Sequence, residues 1–514
     1  MTLFSTSIFL RLGVLLALAV SWLFLREALD TRASSSAGFD PDERFVRETK
    51  LPTGRLSLEV LEEKTGVHLP SRLYFSYADG RPEDPVVGRF QNFLVTASGR
   101  ELKVLPAGEY NVYATRGIEY TLDHQTISIS EGETTHQIFT LSQVVDTSGF
   151  ISSDFHLHLQ FAMRDGAIVA ASEGLDLLTA TDHNILKDYS PYIRELGLER
   201  FMNSVVGAEV DTAFGHFNSF PMSVNLWEDK TFRHAIRTPG ELLRLVRSDP
   251  GEDIVQINHP RRVKSSPRSG YFDGRMDRET SEIDYPFFEY GFDQVEIFNG
   301  LTDKDGEHVG RTSLVDQKLK DWYSLMNQGV FMTGVANTDA HRYPSELPGY
   351  PRNYVLSDTD NPWEIDPAQI VNALKKRGST GSLGPVISFT AGDGGPVGSL
   401  VSSTDSGQVL HIQVQAAPWI PLDQVEVVAN GRVVMTYTVK DRSEVVRLDK
   451  DLKVNPDRDT WYLVLATSEE KWQMPFNNFS SFSFTNPILL DVDGNGYFNP
   501  PNPGRPNVSG DPPS

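Results

Sequence analysis

Five short apolar runs in the middle of this chain each end in a histidine or a carboxylate, and that recurrence constrains the fold more than any other feature. Asp154-Phe155-His156-Leu157-His158 is an extended H-x-H, in which period-two alternation puts both imidazoles on one face of a strand. Residues 175–180 run into Thr181-Asp182-His183-Asn184, and residues 205–210 present Glu209, with His216 following the turn Phe214-Gly215. Residues 253–257 end in Asn258-His259-Pro260, and residues 329–335 in Asn337-Thr338-Asp339-Ala340-His341. Eight of the 12 histidines fall in this region, six of them at run ends. Between the runs lie helical stretches at residues 165–173 and 312–328, so the region reads as α/β. Parallel α/β barrels gather the C-terminal ends of their strands into one site.

The flanks read differently. Residues 54–141 and 408–434 show short alternating runs broken by turns, such as Pro106-Ala107-Gly108 and Asn430-Gly431, which predicts a β-sandwich on each side. With 514 residues and about 150 per domain, three domains are expected. Their bounds read as 50–148 for the N-terminal sandwich, 150–385 for the α/β domain and 386–486 for the C-terminal sandwich. A Pro/Asn/Gly-rich tail, residues 487–514, follows. Residues 1–33 read as a signal peptide or signal anchor with linker, because the charge-free apolar run at 12–25 is 14 residues, short for a membrane span of about 20. That segment predicts an exported chain, periplasmic, extracellular or anchored facing outward.

Composition narrows the chemistry. With 47 Lys+Arg against 69 Asp+Glu, the net charge of −22 disfavours nucleic acid as a partner. Zero cysteines exclude thiolate ligands, thiol nucleophiles and disulfides, so any metal must be held by imidazole and carboxylate, a donor set suited to Zn, Mn or Fe. No Gly-x-Ser-x-Gly or Ser-His-Asp arrangement is evident. Water activated by metal is therefore the expected nucleophile, and a carbonyl or phosphorus centre its target.

The order H-x-H, D-H, Glu, His, His and D-x-H resembles the PHP (polymerase and histidinol phosphatase) superfamily. Asp-Phe-His-Leu-His, Thr-Asp-His-Asn, Gly-His-Phe-Asn at residues 215–218, Asn-His-Pro and Asp-Ala-His look more closely like its CehA/McbA branch of metallohydrolases. The resemblance covers roughly residues 55–440 and implies a distorted (β/α)7 barrel with two or three Zn, Mn or Fe ions at the strand ends. It implies that His156, His158, Glu209 and Asp339 hold a first ion, Glu209, His216 and His259 a second, and Asp165, His183 and His341 a third. Asp165 departs from the pattern, since the family's residue in this role follows H-x-H more closely.

Two further residues are catalytic candidates. Arg261, with Arg262 beside it after His259-Pro260, is placed to clamp a phosphate or a leaving group, and Asn299, ending the run at 294–298, is a candidate hydrogen-bond donor. Glu296 on the same run could instead orient a ligand histidine. His68, His124, His136, His234, His308 and His411 read as ordinary. In the tail, Asp491, Asp493 and Asn495 occupy positions 1, 3 and 5 of a calcium-type loop with Gly496 at 6, but Asn502 stands where a Glu would close it, so a weak structural Ca²⁺ is the expectation. The sequence thus predicts an exported hydrolase of a small ester, phosphoester before carboxyl ester or carbamate. The alternative is a catalytically inactive surface binding protein that uses its sandwiches.

Overall fold

Residues 51–88, 90–159, 163–222, 238–247, 253–262, 270–300, 310–343, 346–392, 394–403, 407–439, 441, 443–476 and 478–502 are described by the computed structural model. The N-terminal segment at 1–33, His234 and His308 lie outside them. Among the described residues no helix is long and apolar enough to cross a membrane.

The N-terminal unit consists of two sheets. One is formed by β1 (Thr53–Glu62), β4 (Arg100–Pro106) and β7 (Thr134–Leu141), the other by β2 (Ser71–Tyr77), β3 (Phe93–Thr96), β5 (Gly108–Thr115) and β6 (Asp123–Ile129). Alternation explains the packing: Leu56, Leu58 and Val60 of β1 meet Leu73, Phe75, Val112 and Ala114 of the facing sheet in one buried core.

The central unit departs from the expected barrel. Its elements are β8 (Phe150–Leu157), α1 (Met163–Ser172), β9 (Leu177–Ala180), α2 (Ser190–Glu195), β10 (Asn203–Val206), β11 (Ala208–Thr212), β12 (Gly215–Phe220) and α3 (Pro239–Val246). They continue with β13 (Ile254–Ile257), β14 (Gln294–Asn299), α4 (Ser313–Asn327), β15 (Thr333–Asn337), β16 (Arg352–Leu356), α5 (Pro367–Lys375) and β17 (Ser379–Leu383). Strands β8, β9 and β10 run parallel, as do β13, β14 and β15, but β12 is antiparallel to both its neighbours and β16 to both of its own. The molecule is multidomain and mostly β, with few helices, and the strand pairing does not show a regular (β/α)7 barrel. The reason is local: β11 and β12 are joined by a tight turn that leaves no room for a crossover helix, so they pair as a hairpin.

The run at 205–210 is two strands in two sheets, split at Gly207. A Cβ there would meet Ser219 O at 2.9 Å and the Phe220 Cβ at 3.0 Å, so only glycine lets the chain cross from one sheet to the other. The sheets β10-β9-β8-β16-β17 and β11-β12-β13-β14-β15 are then drawn together by two bridges at their strand ends, His183 with Glu209 and Leu157 with Ala340.

The C-terminal unit comprises β18 (Val386–Ala391), β19 (Gly395–Pro396), β20 (Leu400–Ser402), β21 (Gln408–Gln415), β22 (Gln424–Ala429), β23 (Arg432–Thr438), β24 (Val446–Val454), β25 (Thr460–Lys471), β26 (Ser480–Thr485) and β27 (Ile488–Asp491). It is not an independent sandwich from 386 to 486. Because β17 pairs with β26, one of its sheets continues the central sheet, and β27, expected in the tail, is buried against β20 and β25. All three units meet where Arg72 of β2 forms a fully buried ion pair with Glu173 at 2.7 Å and lies 4.7 Å over Phe476.

Candidate metal centre

The site is built where strand ends converge. On β8, Phe155 packs into the core and stacks on Phe220 at 5.1 Å, which forces His156 and His158 onto the opposite face. Both histidines are buried, as are Glu209 of β11 and Asp339 just after β15. One ligand atom from each of the four lies within 4.8 Å of the others. The His156 Nε2 is 3.2 Å from Glu209 Oε1 and 3.3 Å from Asp339 Oδ1, and the His158 Nε2 is 3.1 Å from Glu209 Oε2 and 3.2 Å from Asp339 Oδ1.

These short contacts are not all hydrogen bonds. Both nitrogens of His158, Oε2 of Glu209 and Nδ1 of His259 are buried without any hydrogen-bond partner. The atoms approach one another at bonding distance but point at a shared space, the geometry of ligands around a cation. Electrostatics agree. Burial alone would depress the imidazoles, yet Asp339, Glu209 and Glu296 raise His156 well above its usual range, and Asp339 and Glu209 push His158 up to about 9. Burial would raise the carboxyls of Glu209 and Asp339, but His156 and its neighbours hold both far below the usual carboxylate range. A positive charge among these groups is strongly favoured, and these buried residues could hold a metal ion. His259, in contrast, is lowered, first by burial.

Two further groups overlap the first. His183, Glu209, Asp211 and His216 share one sphere, and His158, His183 and His341 another. The His183 and His158 rings stack at 4.4 Å, and His158 and His341 at 4.1 Å. His259 Nε2 lies 3.4 Å from Glu209 Oε1, so Glu209 is the hub. The backbone at His259 (φ 28°), Asp339 (φ 54°) and Asn184 (φ 54°) is left-handed at non-glycine residues, strain of the kind that clusters at functional sites.

Beneath the ligands lies a floor of buried amides. Glu296 Oε1 accepts the His156 Nδ1–H at 2.9 Å and Asn337 Nδ2–H at 3.0 Å, while its Oε2 accepts the His259 backbone N–H at 2.6 Å. That turns His156 Nε2 toward the site, where Asn258 Nδ2 lies 3.4 Å away. Asn258 donates to Glu209 Oε1 at 2.9 Å and to Asn218 at 2.7 Å. Asn299 donates to Glu296 at 2.7 Å and to Asp339 at 3.4 Å, so its amide positions two carboxylates from behind. Asp154 bonds the backbone N–H groups of Thr338 and Gly349, tying β8 to the segment that carries Asp339.

Two candidates from the sequence stand elsewhere. Asp165 sits in the first turn of α1 and belongs to none of the three groups. Arg261 is fully buried and turned into the protein, where its Nε and Nη2 clasp Asp321 of α4 at 2.7 and 3.2 Å, so it cannot clamp a substrate. Its neighbour Arg262 brings a cation to the site, with Nη2 at 2.7 Å from His259 Nε2. Asp211 was not anticipated. Its signal was present, since Glu209-Val210-Asp211 has the same alternation as His156-Leu157-His158.

The tail loop closes differently. Asp459, Asp491 and Asp493 come within 4.8 Å, but Asp491 accepts the backbone N–H groups of Gly494 and Gly496 at 2.8 Å each, and Asp459 those of Val492 at 2.8 Å and Asn499 at 2.6 Å.

No protein-family model matches the sequence, and no curated protein does. Among solved structures, a two-domain protein from Bacteroides vulgatus containing a predicted PHP-like metal-dependent phosphoesterase is similar at 14% identity. It covers 67% of this chain and 98% of its own, with a TM-score of 0.33. A minor pilin of Streptococcus agalactiae is 17% identical over 19% of this chain and 47% of its own (TM-score 0.17). An engineered protein is 16% identical over 39% of this chain and 41% of its own (TM-score 0.15). With TM-scores this low, function rests on the site itself.

Proposed function

We propose that this chain is a metal-dependent hydrolase of the PHP type, the family its motif order resembles, cleaving a small ester and preferring a phosphoester to a carboxyl ester or carbamate. The observation that carries this reading is the buried convergence of His156, His158, Glu209 and Asp339, in which both nitrogens of His158 and Oε2 of Glu209 lack hydrogen-bond partners. The imidazole and carboxylate donors fit Zn, Mn or Fe and exclude a thiolate-type site. Divalent ions, when bound, would acidify water and supply Lewis-acid charge to the oxygen that gains negative charge. Glu209 would bridge neighbouring positions, while Glu296 and Asn299 hold His156 and Asp339 in register from behind. Arg262, half-buried at His259, offers the positive charge that a phosphate oxygen needs, which favours phosphoester over neutral ester.

Export through the segment at 1–33 and a weak Ca²⁺ held by Asp491, Asp493 and Asn495, with Asp459 beside them, are separate proposals. The hydrolase reading is tested by elemental analysis of the full chain and of His156→Ala, followed by assays on p-nitrophenyl phosphate, bis-p-nitrophenyl phosphate and 1-naphthyl acetate with added Mn²⁺ or Zn²⁺. Bound metal that falls in the variant, with turnover that follows it, is expected. A wild-type chain that stays metal-free and inert after reconstitution overturns the reading.

A further inference from the structure

We propose that Asp211 is a metal ligand, and that with His183, His216 and the shared Glu209 it forms an outer position distinct from the enclosed one at His156, His158, Glu209 and Asp339. This rests on reading the site as a metal centre, and it regroups the ligands that the sequence resemblance implied.

The hairpin sets the arrangement. Glu209 and Asp211 lie two residues apart on β11 and share a face, and the register of β11 with β12 places Asp211 directly opposite His216. The turn that fixes this register is closed by Thr212, whose hydroxyl donates to Gly215 O at 2.7 Å. Asp211 Oδ1 then lies 2.8 Å from His183 Nδ1 and 3.6 Å from His216 Nε2. Glu209 completes the group, with Oε2 at 3.0 Å from His183 Nδ1 and Oε1 at 3.1 Å from His216 Nδ1.

His183 Nδ1 with Asp211 Oδ1, and His216 Nδ1 with Glu209 Oε1, meet at hydrogen-bond geometry, and two observations point to a cation beside them. Glu209 Oε2 is fully buried, lies near His158 and His183, and has no hydrogen-bond partner. Asp211 is held for ligation from the far side: Asn184 Nδ2 donates to its Oδ2 at 3.1 Å, and its own backbone N–H donates to Asn184 Oδ1 at 3.2 Å. This reciprocal pair, which the left-handed backbone of Asn184 makes reachable, occupies Oδ2 and presents Oδ1 to the histidines.

The two positions differ in access. Side chains of the inner group are at most 5% exposed, whereas Asp211 is 41% and His183 33% exposed. The outer ion would therefore exchange faster, bind more weakly and keep room for solvent or substrate.

The test is metal binding by the full chain, read as stoichiometry after gel filtration and as affinity by calorimetric titration with Zn²⁺ or Mn²⁺, for wild type, Asp211→Asn and Asp165→Asn. The expected result is a tight and a weaker ion in the wild type, with the weaker one lost or bound at least about tenfold more weakly in Asp211→Asn. The tight ion stays, and Asp165→Asn matches the wild type. Because the Asp211 side chain is 41% exposed and Asn keeps its shape, the variant should fold, which an unchanged melting temperature of the metal-free protein checks. An Asp211→Asn protein with wild-type stoichiometry and affinity overturns the inference while leaving the hydrolase reading standing. A wild-type chain that binds no metal overturns both.

Discussion

Two acidic clusters in this molecule look alike in composition and differ in what their oxygens do. Around Glu209, carboxylates and imidazoles crowd within about 3 Å, yet His158 and Glu209 Oε2 have no hydrogen-bond partner. Around Asp491, the carboxylate oxygens accept backbone N–H groups from their own loop. Buried polar atoms left unpaired cost about 1–3 kcal/mol each, so a cluster that tolerates several is organised around something that satisfies them together. A cluster whose oxygens are already paired is a turn first, and an ion can only add to it. Donor satisfaction, not residue type, separates the two.

The strongest way to break this contrast is at its hub. Glu209→Gln removes the charge shared by His156, His158, His183, His216 and His259, and both ions and all turnover should be lost. In the metal-free protein the same change leaves the buried imidazoles with only Asp339 and Glu296 as counter-charges and should cost about 3 kcal/mol by denaturant unfolding. Retention of a full complement of metal would refute the hub role.

A second pair of variants separates charge at the site from charge in the core. Arg261→Met strands Asp321 in the interior and should destabilise by about 3–5 kcal/mol. Arg262→Ala should leave the melting temperature nearly unchanged and lower kcat/KM for a phosphoester by roughly tenfold or more, one bidentate contact's worth, while sparing a neutral ester. The reverse pattern would reinstate Arg261 as the clamp.

That pair also shows what the sequence could and could not convey. His156, His158, Glu209 and Asp339 were legible because strand alternation and strand-end position are written in the chain itself. Which of two adjacent arginines faces the site depends on Asp321, sixty residues on in α4, and no local pattern carries that. The strand at 205–210 was legible as apolar, but its division at Gly207 is imposed by Ser219 and Phe220 from β12. The turn Phe214-Gly215 was legible, and the antiparallel pairing of β11 and β12 follows from its length. Asp211 was visible by the same alternation as His158 and was missed because the family pattern has no residue there.

Glu119 offers a third kind of buried carboxylate, one with hydroxyl and amide partners but no gathered imidazoles. It accepts from Tyr354 at 3.0 Å and from Gln143 at 3.1 Å, with Arg352 at 3.8 Å. Burial, followed by the charge of Asp176, pushes it up to about 7. Its folded-state pKa is raised, so the native state holds a proton that the unfolded chain has released above its ordinary value of 4.5. The sign is therefore that stability is fully present below about 4.5 and is lost as pH rises through 7. The wild type should lose on the order of 1–3 kcal/mol across that window relative to Glu119→Gln, whose profile should be flatter. Parallel profiles for the two proteins would show that Glu119 is already ionised when folded.

The smallest expected effect tests the Asp491 loop. If Ca²⁺ binds there with a Kd of about 10⁻⁴ to 10⁻³ M, as for exposed loops lacking the closing Glu, then 1 mM Ca²⁺ stabilises by RT ln(1 + [L]/Kd), or about 0.4–1.4 kcal/mol. For a chain of 514 residues, at about 2.1 cal/mol/K of unfolding entropy per residue, that is a rise of roughly 0.4 to 1.3 degrees in melting temperature over EGTA-treated protein, removed by Asp493→Asn. The loop's backbone bonds to Asp491 and Asp459 persist without the ion, so EGTA alone should not unfold it. A drop of many degrees on chelation, abolished by Asp493→Asn rather than by Glu209→Gln, would show that Ca²⁺ and not the backbone organises this cluster. Paired oxygens would then no longer distinguish a turn from an ion site.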